Sequence, residues 1–315
     1  MTSRLSSVWP ALERVAREAG VLRIGASDLE DAHRQLFAEW IDAGRQAAMH
    51  YLDRNRQARL DPRSRFPWAR SVVVVLVPYA PERPQAPAGA LSNHVARYAQ
   101  GDDYHDVVDA ILRRLEDGLR EADASIVTRR YVDTGPLSDR AYAAQGGLGW
   151  IGRNGMLIDP DHGSWVFIGT LLTSLENDIA AEEVADRCGS CTRCLEACPT
   201  AAILPDRTVE SSRCLSYATI EHRGELPHDL EHRLGENVFG CDICQEVCPW
   251  NAAPAEAHPA FAPRDAYRST PVSDLLRFGQ SDFSSLFRKS AIKRAKLAGM
   301  VRNVKAVLGE LKIEN

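Results

Sequence analysis

Cys188-Gly189-Ser190-Cys191-Thr192-Arg193-Cys194-Leu195-Glu196-Ala197-Cys198-Pro199 is the stretch on which the rest of the chain depends. Its spacing, C-x2-C-x2-C-x3-C-P, is the bacterial ferredoxin pattern. Three thiolates on one tight loop suit three irons of a [4Fe–4S] cubane. The fourth, set off by three residues and a proline, points away to a second cluster. A second run, Cys241-Asp242-Ile243-Cys244-Gln245-Glu246-Val247-Cys248-Pro249, supplies the partner. It lacks its first cysteine, because Val238 stands there, and Cys214 is the only cysteine left to fill the vacancy. One cluster is expected on Cys188, Cys191, Cys194 and Cys248, the other on Cys198, Cys214, Cys241 and Cys244. This uses all eight cysteines of the chain. Zinc sites usually come as separate C-x2-C pairs, and disulfides need an oxidising compartment to which nothing here sends the chain.

A chain of 315 residues can bury a real core and is long enough for two or three domains. The cysteines all lie between Cys188 and Cys248, so the long segment before them must be a separate fold. The formal net charge of −5 argues against a generally basic nucleic-acid binder but leaves room for a local basic patch. Met1–Gly20 is amphipathic, with no apolar signal core, and the longest strongly apolar run, Val72–Val77, is too short to span a bilayer. The expectation is a cytoplasmic protein with no membrane contact.

Trp9–Ala19 reads as a helix, with Leu12, Val15, Ala16 and Ala19 on one face. Val21–Gly25 reads as a short strand and Glu30–Ala43 as a second helix. A loop with Tyr51 and five arginines, from Arg54 to Arg65, follows; Pro62 and Pro67 keep it from continuing as helix. Such arginines are either solvated or clamp an anionic or amide-rich ligand. Ser71–Val77, almost wholly β-branched, predicts a central strand buried on both faces. Pro81–Gly89 reads as a surface loop and Val95–Tyr98, with Arg97, as a short strand. Tyr104–Leu119 is an amphipathic helix, and Ile126–Val132 a strand that delivers Asp133 at its end. Gly147-Leu148-Gly149-Trp150-Ile151-Gly152 is formally G-x-G-x-x-G. It follows a helix and leads into the strand Met156–Ile158, the wrong context for a dinucleotide loop. Its glycines more plausibly admit a large flat ligand close to the backbone. Gly163–Leu172 is a further strand, and helices after Pro271 and over Ser290–Leu311 close the chain.

Several segments now form a distinctive set: Arg59 with Asp61-Pro62, Tyr104-His105, Tyr131-Val132-Asp133-Thr134-Gly135, Gly147 through Arg153-Asn154, and the double cysteine run. Together they resemble the epoxyqueuosine reductases, cobalamin-dependent enzymes of tRNA queuosine modification. The resemblance runs from Leu12 to about Val307. It implies an α+β architecture: an N-terminal mixed α/β cobalamin-binding domain (1–175), a ferredoxin-like double [4Fe–4S] module (176–260) and a short C-terminal helical, tRNA-contacting segment (261–315). Some members of the family add a helical repeat region, which is not expected here. The implied reaction removes the epoxide oxygen of epoxyqueuosine at the tRNA wobble position as water, with two electrons and two protons. Cubane potentials low enough to reduce cobalt would feed the cofactor, which carries the hard chemistry.

The resemblance also assigns roles. Asp133 matches the proton donor, a carboxylic acid whose pKa burial would raise; otherwise it would simply cap a turn. Arg59 and Arg97 match positions around the corrin. Leu157 and Ile168 sit where a strand would pack on its face, and Ser216 and Asp242 match its edge. Ser and Asp beside Cys also cap turns without any ligand. The basic C-terminal stretch (Arg288, Lys289, Lys293, Arg294, Lys296, Arg302, Lys305) suits tRNA phosphates, with Arg223 as a further candidate on that surface. The partners implied are the tRNA anticodon stem-loop and an external electron donor, met by a monomer. Two other classes stay open: a cobalamin-dependent reductive dehalogenase, and a ferredoxin-type electron-transfer subunit whose N-terminal part only docks. A cobalamin spectrum would exclude the second, and activity on tRNA the first.

Overall fold

Ser71–Pro78 forms β2, and every residue in it is buried, as its unbroken apolar run predicts. The computed structural model describes residues 4–30, 33–79 and 85–309. In it β2 is the spine of a four-stranded sheet in the order β1 (Arg23–Asp28), β2, β6 (Val166–Thr173), β3 (Thr128–Tyr131). All three pairings are antiparallel, with Val75 opposite Ile24 on one side and Gly169 on the other.

Period-two alternation sends the two faces of β2 into different cores. Val73, Val75 and Val77 pack against α1 (Trp9–Glu18) and α5 (Tyr104–Ala122) through Leu12, Leu112 and Leu115. Val72, Val74 and Leu76 pack against α6 (Asp139–Gln145) and the β4–β5 hairpin (Trp150–Ile151, Leu157–Ile158) through Tyr142, Leu148 and Leu157. Each such side chain is worth about 1.5–3 kcal/mol relative to exposure, so the sheet holds the two layers in fixed register. Asp103 starts α5 by accepting the His105 N–H.

Two short helices, α3 (His50–Arg54) and α4 (Arg56–Leu60), occupy much of the arginine-rich stretch expected as loop. They follow α2 (Arg34–Asp42), shorter than its predicted span; residues 31 and 32 lie outside the described residues, as do 81–84 of the Pro/Ala-rich loop. The Val95–Tyr98 segment is not a strand. Val95 makes a single parallel bridge to Phe239, and Arg97–Ala99 is a 3-10 turn, because the partner offered there is a loop of the cysteine-rich region. The helix expected over Ser290–Leu311 is broken. Ala291–Ala295 is 3-10, Lys296 takes a positive φ of 64°, and only Lys296–Leu308 (α13) is α-helical; residues 310 and 311 lie outside the described residues.

The cysteine-rich segment carries α7 (Arg193–Ala197), α8 (Leu215–Ile220), α9 (His228–Glu231) and α10 (Ile243–Glu246). It is tied to the sheet region at many points. Trp40 donates to the Val209 carbonyl, the Ala48 N–H to the Tyr217 hydroxyl, and Gln245 to Ser164. Gly163, at φ 79°, lies so close to Asn251 that a Cβ would come within 2.1 Å of its side-chain oxygen. The C-terminal part, with α11 (Asp265–Ser269), α12 (Gln280–Leu286) and α13, shares one core with Leu91, Val95 and Tyr98 on one side and Val238 and Phe239 on the other. Among the described residues no helix is long and apolar enough to cross a membrane.

Candidate active site and cluster module

Strand β3 ends at Tyr131, and the chain turns sharply at Asp133, whose φ is 56°. Asp is among the few non-glycine residues that tolerate this left-handed region. The turn is held from outside itself. Arg59, on α4, donates to the carbonyls of Leu137 (2.6 Å) and Gly135 (2.9 Å). The Tyr104 hydroxyl, at the start of α5, donates to Asp133 Oδ2 across 2.7 Å. The Asp133 side chain is exposed, which corrects the expectation of a buried acid.

The charge on Asp133 reaches residues from every part of the chain. It acts on Arg59, Tyr51, Tyr98, Tyr104, Asp139 and Arg294. Burial first, and Asp133 second, lifts the Tyr98 and Tyr104 hydroxyls well above their ordinary range. Burial, again reinforced by Asp133, pushes the Asp139 carboxyl up to about 7. Burial also lowers Arg59, against the pull of Asp139 and Asp133. Asp139, Tyr51 and Tyr98 were not singled out from sequence. Nothing in local sequence marks them, since their importance comes from tertiary neighbours.

Arg97 and Asp242, 145 residues apart, meet in the same region. The Arg97 N–H donates to Asp242 Oδ2 at 2.8 Å, its guanidinium to Glu246 at 3.1 Å, and its guanidinium carbon lies 4.7 Å from the centre of the Trp165 ring. Asp242 is only 3% exposed. Gly240, at φ 75°, passes so close to Ala96 that a Cβ would lie 2.5 Å from the alanine methyl. Ile168 is partly exposed on β6, whereas the Leu157 side chain is packed within the core between Leu148 and Leu172. The glycine-rich stretch meets the chain's own backbone. Arg153 donates to the Gly189 carbonyl and Trp150 packs edge-on against Trp250 at 4.9 Å. Arg153 and Trp150, set among those glycines, dock the cysteine module onto the sheet region.

None of the eight cysteines is in a disulfide, and each is half-buried. Cys194 feels Cys248, Cys188 and Cys191, and Cys248 feels Cys188 and Cys191. Cys241 feels Cys214 and Cys198; Cys244 feels Cys241 and Cys214, and Cys194 more weakly. Two groups of four thus lie together, side by side. Among the described residues none of these thiols belongs to a group whose ligand atoms converge within 4.8 Å, the compactness a single metal ion would need. Burial and its thiol neighbours push Cys241 up to about 12 and raise Cys244 further. The Ala202 N–H points at Cys198 Sγ from 3.3 Å, and the amides of Ser216 and Tyr217 favour the Cys214 thiolate. Such donors tune cluster potential.

The basic C-terminal residues separate into two kinds. Lys293, Arg294 and Lys296 are exposed. Arg302 is not surface charge: it folds inward and donates to the carbonyls of Ala218, His222 and Gly224. Arg294 forms a bidentate pair with Glu221 (2.9 and 3.0 Å), lies 5.6 Å from the Tyr51 ring and feels the charge of Asp133. Arg223 donates to the Arg294 carbonyl.

An antiparallel sheet docked against two adjoining groups of four cysteines defines an iron–sulfur protein with a separate α/β part. Comparison with known proteins narrows this. Residues 187–251 match the family described as a 4Fe-4S double cluster binding domain, and residues 59–134 match the family described as epoxyqueuosine reductase QueG, DUF1730. The chain is 40% identical to the epoxyqueuosine reductase of Synechococcus sp. (strain RCC307), over 91% of this chain and 88% of that one. It superposes on a crystal structure of epoxyqueuosine reductase with an epoxyqueuosine-modified tRNA-Tyr stem loop, with a TM-score of 0.88 and 29% identity, covering 97% of this chain and 82% of that one. A Bacillus subtilis epoxyqueuosine reductase, whose structure has its catalytic aspartate loop swung out of the active site, matches with a TM-score of 0.87 and 27% identity, over the same shares of the two chains. The chain belongs to the epoxyqueuosine reductase family.

Proposed function

We propose that the chain reduces epoxyqueuosine to queuosine at the wobble position of tRNA, using cobalamin and electrons passed through two [4Fe–4S] clusters. The observation that carries this reading is that Asp133 and Asp242 both bear on Tyr98, with Asp242 holding the Arg97 N–H and lying beside Cys241 and Cys244. The residues fit a large polar cofactor. The Nε atoms of Arg59 and Arg97 are both buried without a hydrogen-bond partner among the described residues, which is costly unless something bound accepts them. Arg59, Arg97, Asp133, Ile168, Ser216 and Asp242 would hold it, with Leu157, whose side chain lies in the core, offering only its strand backbone. Cobalamin would supply a cobalt centre able to take electrons from low-potential clusters.

The chain's own part is to orient, to donate and to exclude water. Asp133 passes a proton to the epoxide oxygen, and Tyr104 fixes its direction. Arg59 keeps the turn closed from below. Cys188, Cys191, Cys194 and Cys248 hold one cluster; Cys198, Cys214, Cys241 and Cys244 hold the one beside Asp242. Arg223, Lys293 and Arg294 meet the anticodon stem-loop. The division 1–175, 176–260 and 261–315 then follows function: cofactor and acid, electron supply, tRNA contact.

The test is direct. Protein reconstituted anaerobically with clusters and cobalamin, and given a low-potential reductant, should convert epoxyqueuosine in tRNA to queuosine, read by nucleoside analysis. Unchanged nucleosides with fully loaded protein would overturn the proposal.

A further inference from the structure

Two arginines on the outer strand of the sheet and the loop beside it have no part in the site described above. β3 pairs only with β6, and Arg129 and Tyr131 lie on the same face of it. On that face Tyr131 meets Phe66, from the loop that leads from α4 into β2, with the two ring centres 6.1 Å apart. The Arg129 guanidinium carbon lies 5.5 Å from the centre of the Tyr131 ring, and that of Arg65 lies 5.7 Å from the centre of the Phe66 ring. Cation, ring, ring and cation thus follow one another across two segments far apart in sequence.

Both rings are held in place. Asp61 accepts the Arg63 N–H at 3.0 Å, and the Phe66 N–H reaches the Pro62 carbonyl at 2.9 Å. A Cβ on Gly135 would come within 2.4 Å of the Tyr131 ring, so the turn that carries Asp133 packs directly on that ring. The guanidinium groups on these rings are free. Arg65 and Arg129 are exposed, and among the described residues neither side chain has an ion pair or a hydrogen bond. Arg130, on the opposite face, shows the contrast: Asp109 and Glu116 hold it. A guanidinium stacked on a ring interacts through its flat face and keeps its in-plane N–H donors available. The stack also limits the side-chain entropy that a contact would otherwise cost. Such donors suit phosphate oxygens, and the rings beside them suit unstacked bases. Arg129 comes four residues before Asp133, so the two are no more than about 14 Å apart.

Resting on the function proposed above, we infer that Arg65 and Arg129, seated on Phe66 and Tyr131, bind phosphates of the tRNA strand next to the wobble nucleotide. This contact lies on the sheet, separate from Lys293 and Arg294 of the C-terminal part. It sets where the strand runs past the Asp133 turn, and so acts on substrate binding rather than on the chemical step.

The experiment measures binding of the cluster-loaded full chain to tRNA carrying epoxyqueuosine at several salt concentrations. Arg65→Gln and Arg129→Gln should each reduce the salt slope by about 1 and weaken binding roughly tenfold near 0.1 M salt. Phe66→Leu keeps the Arg65 charge but removes its seat; the slope should hold while affinity falls about two- to fivefold, the worth of an exposed cation–π contact. Both arginines are exposed, so iron content and unfolding temperature should match the parent. In turnover KM should rise while kcat holds. An unchanged slope in the double variant overturns the inference and leaves both arginines as solvated surface charge. So does a double variant that binds tRNA like the parent but slows only when the electron donor is limiting, which would make the patch a docking face for an acidic redox protein. If Lys293→Glu lowers the slope and the two arginine variants do not, the proposed function stands without this contact. If the parent binds tRNA with this arginine dependence but makes no queuosine, the function fails and the contact stands.

Discussion

The Tyr104 hydroxyl and the Asp133 carboxylate meet at 2.7 Å although one begins a helix and the other ends a strand. Tyr104 cannot drift, because its ring stacks on Phe167 at 4.5 Å with the planes 2° apart. Asp133, at φ 56°, is thus aimed by a rigid donor. Tyr104→Phe keeps the stack and deletes the bond. A hydrogen bond to a charged group is worth about 1.5–3 kcal/mol, so turnover should fall roughly 10–100-fold. Cluster content, cobalamin content and tRNA affinity should hold. A parental single-turnover rate would show that the carboxylate needs no such guide.

Cys214 tests how the clusters are shared. It lies apart from both cysteine runs in sequence, yet its thiol feels Cys198 and is felt by Cys241 and Cys244. Cys214→Ala should therefore impair the cluster on Cys198, Cys241 and Cys244 and leave the other partly assembled. Iron analysis and EPR of the reduced protein check this. Full iron with an unchanged spectrum would mean that Cys214 is not a ligand.

Lys293 and Arg294 are both exposed, but they answer differently. Lys293 has no ion pair among the described residues, so Lys293→Glu removes only a charge available to phosphate. Its loss should weaken tRNA binding and reduce the salt slope by about 1. Arg294 is already held by Glu221 in a bidentate pair and supports Tyr51. Reversing both residues to Glu sets like charges together, and tRNA affinity should drop further while cobalamin content is kept. Binding isotherms at several salt concentrations decide, and an unchanged slope would return the patch to plain solvated surface.

What the sequence made legible was whatever depends on local pattern. The wholly apolar Ser71–Val77 run could only be a buried strand, and the Tyr104–Leu119 periodicity only a helix with Val108, Leu112 and Leu115 inward. The cysteine spacing was as explicit. Tertiary partners decided the rest. Val95 lost its strand because the nearest backbone is the Phe239 loop. Arg302 looked like surface charge until three carbonyls of the α8 region claimed it. Among the glycines after Gln145, Arg153 and Trp150 dock onto the cysteine module, a role no local pattern announces. Asp139 had no signature, since its proton affinity comes from burial and from Asp133.

Asp139 also gives the fold a pH dependence of unusual sign for a carboxylate. Its folded pKa of about 7 lies above the ordinary value, near 3.9. The folded state therefore binds a proton more tightly than the unfolded chain. That contribution is complete below about 4 and is lost as pH rises to about 7. In Asp139→Asn the apparent unfolding temperature should change less over this window than in the parent. Parallel slopes for the two proteins would show that Asp139 is ionised like an exposed acid.

Asp133→Asn isolates the proposed chemical step. Asparagine is nearly isosteric and tolerates the left-handed region, so the turn at φ 56° should persist, still pinned by Arg59 through Gly135 and Leu137. What disappears is the acidic proton. An epoxide oxygen is a poor leaving group unless protonated, and general acid catalysis is worth roughly 10²–10⁴-fold, so turnover should fall by about that factor. Asp133 is exposed, so its replacement should not disturb the packed core beneath. Cluster content, cobalamin binding and tRNA affinity should survive. Single-turnover assays with pre-reduced enzyme separate the proton step from electron delivery. A near-parental rate, or a loss explained wholly by missing cobalamin, would leave Asp133 as the residue that shapes the turn and move the search for the acid to its neighbours, Asp139 first.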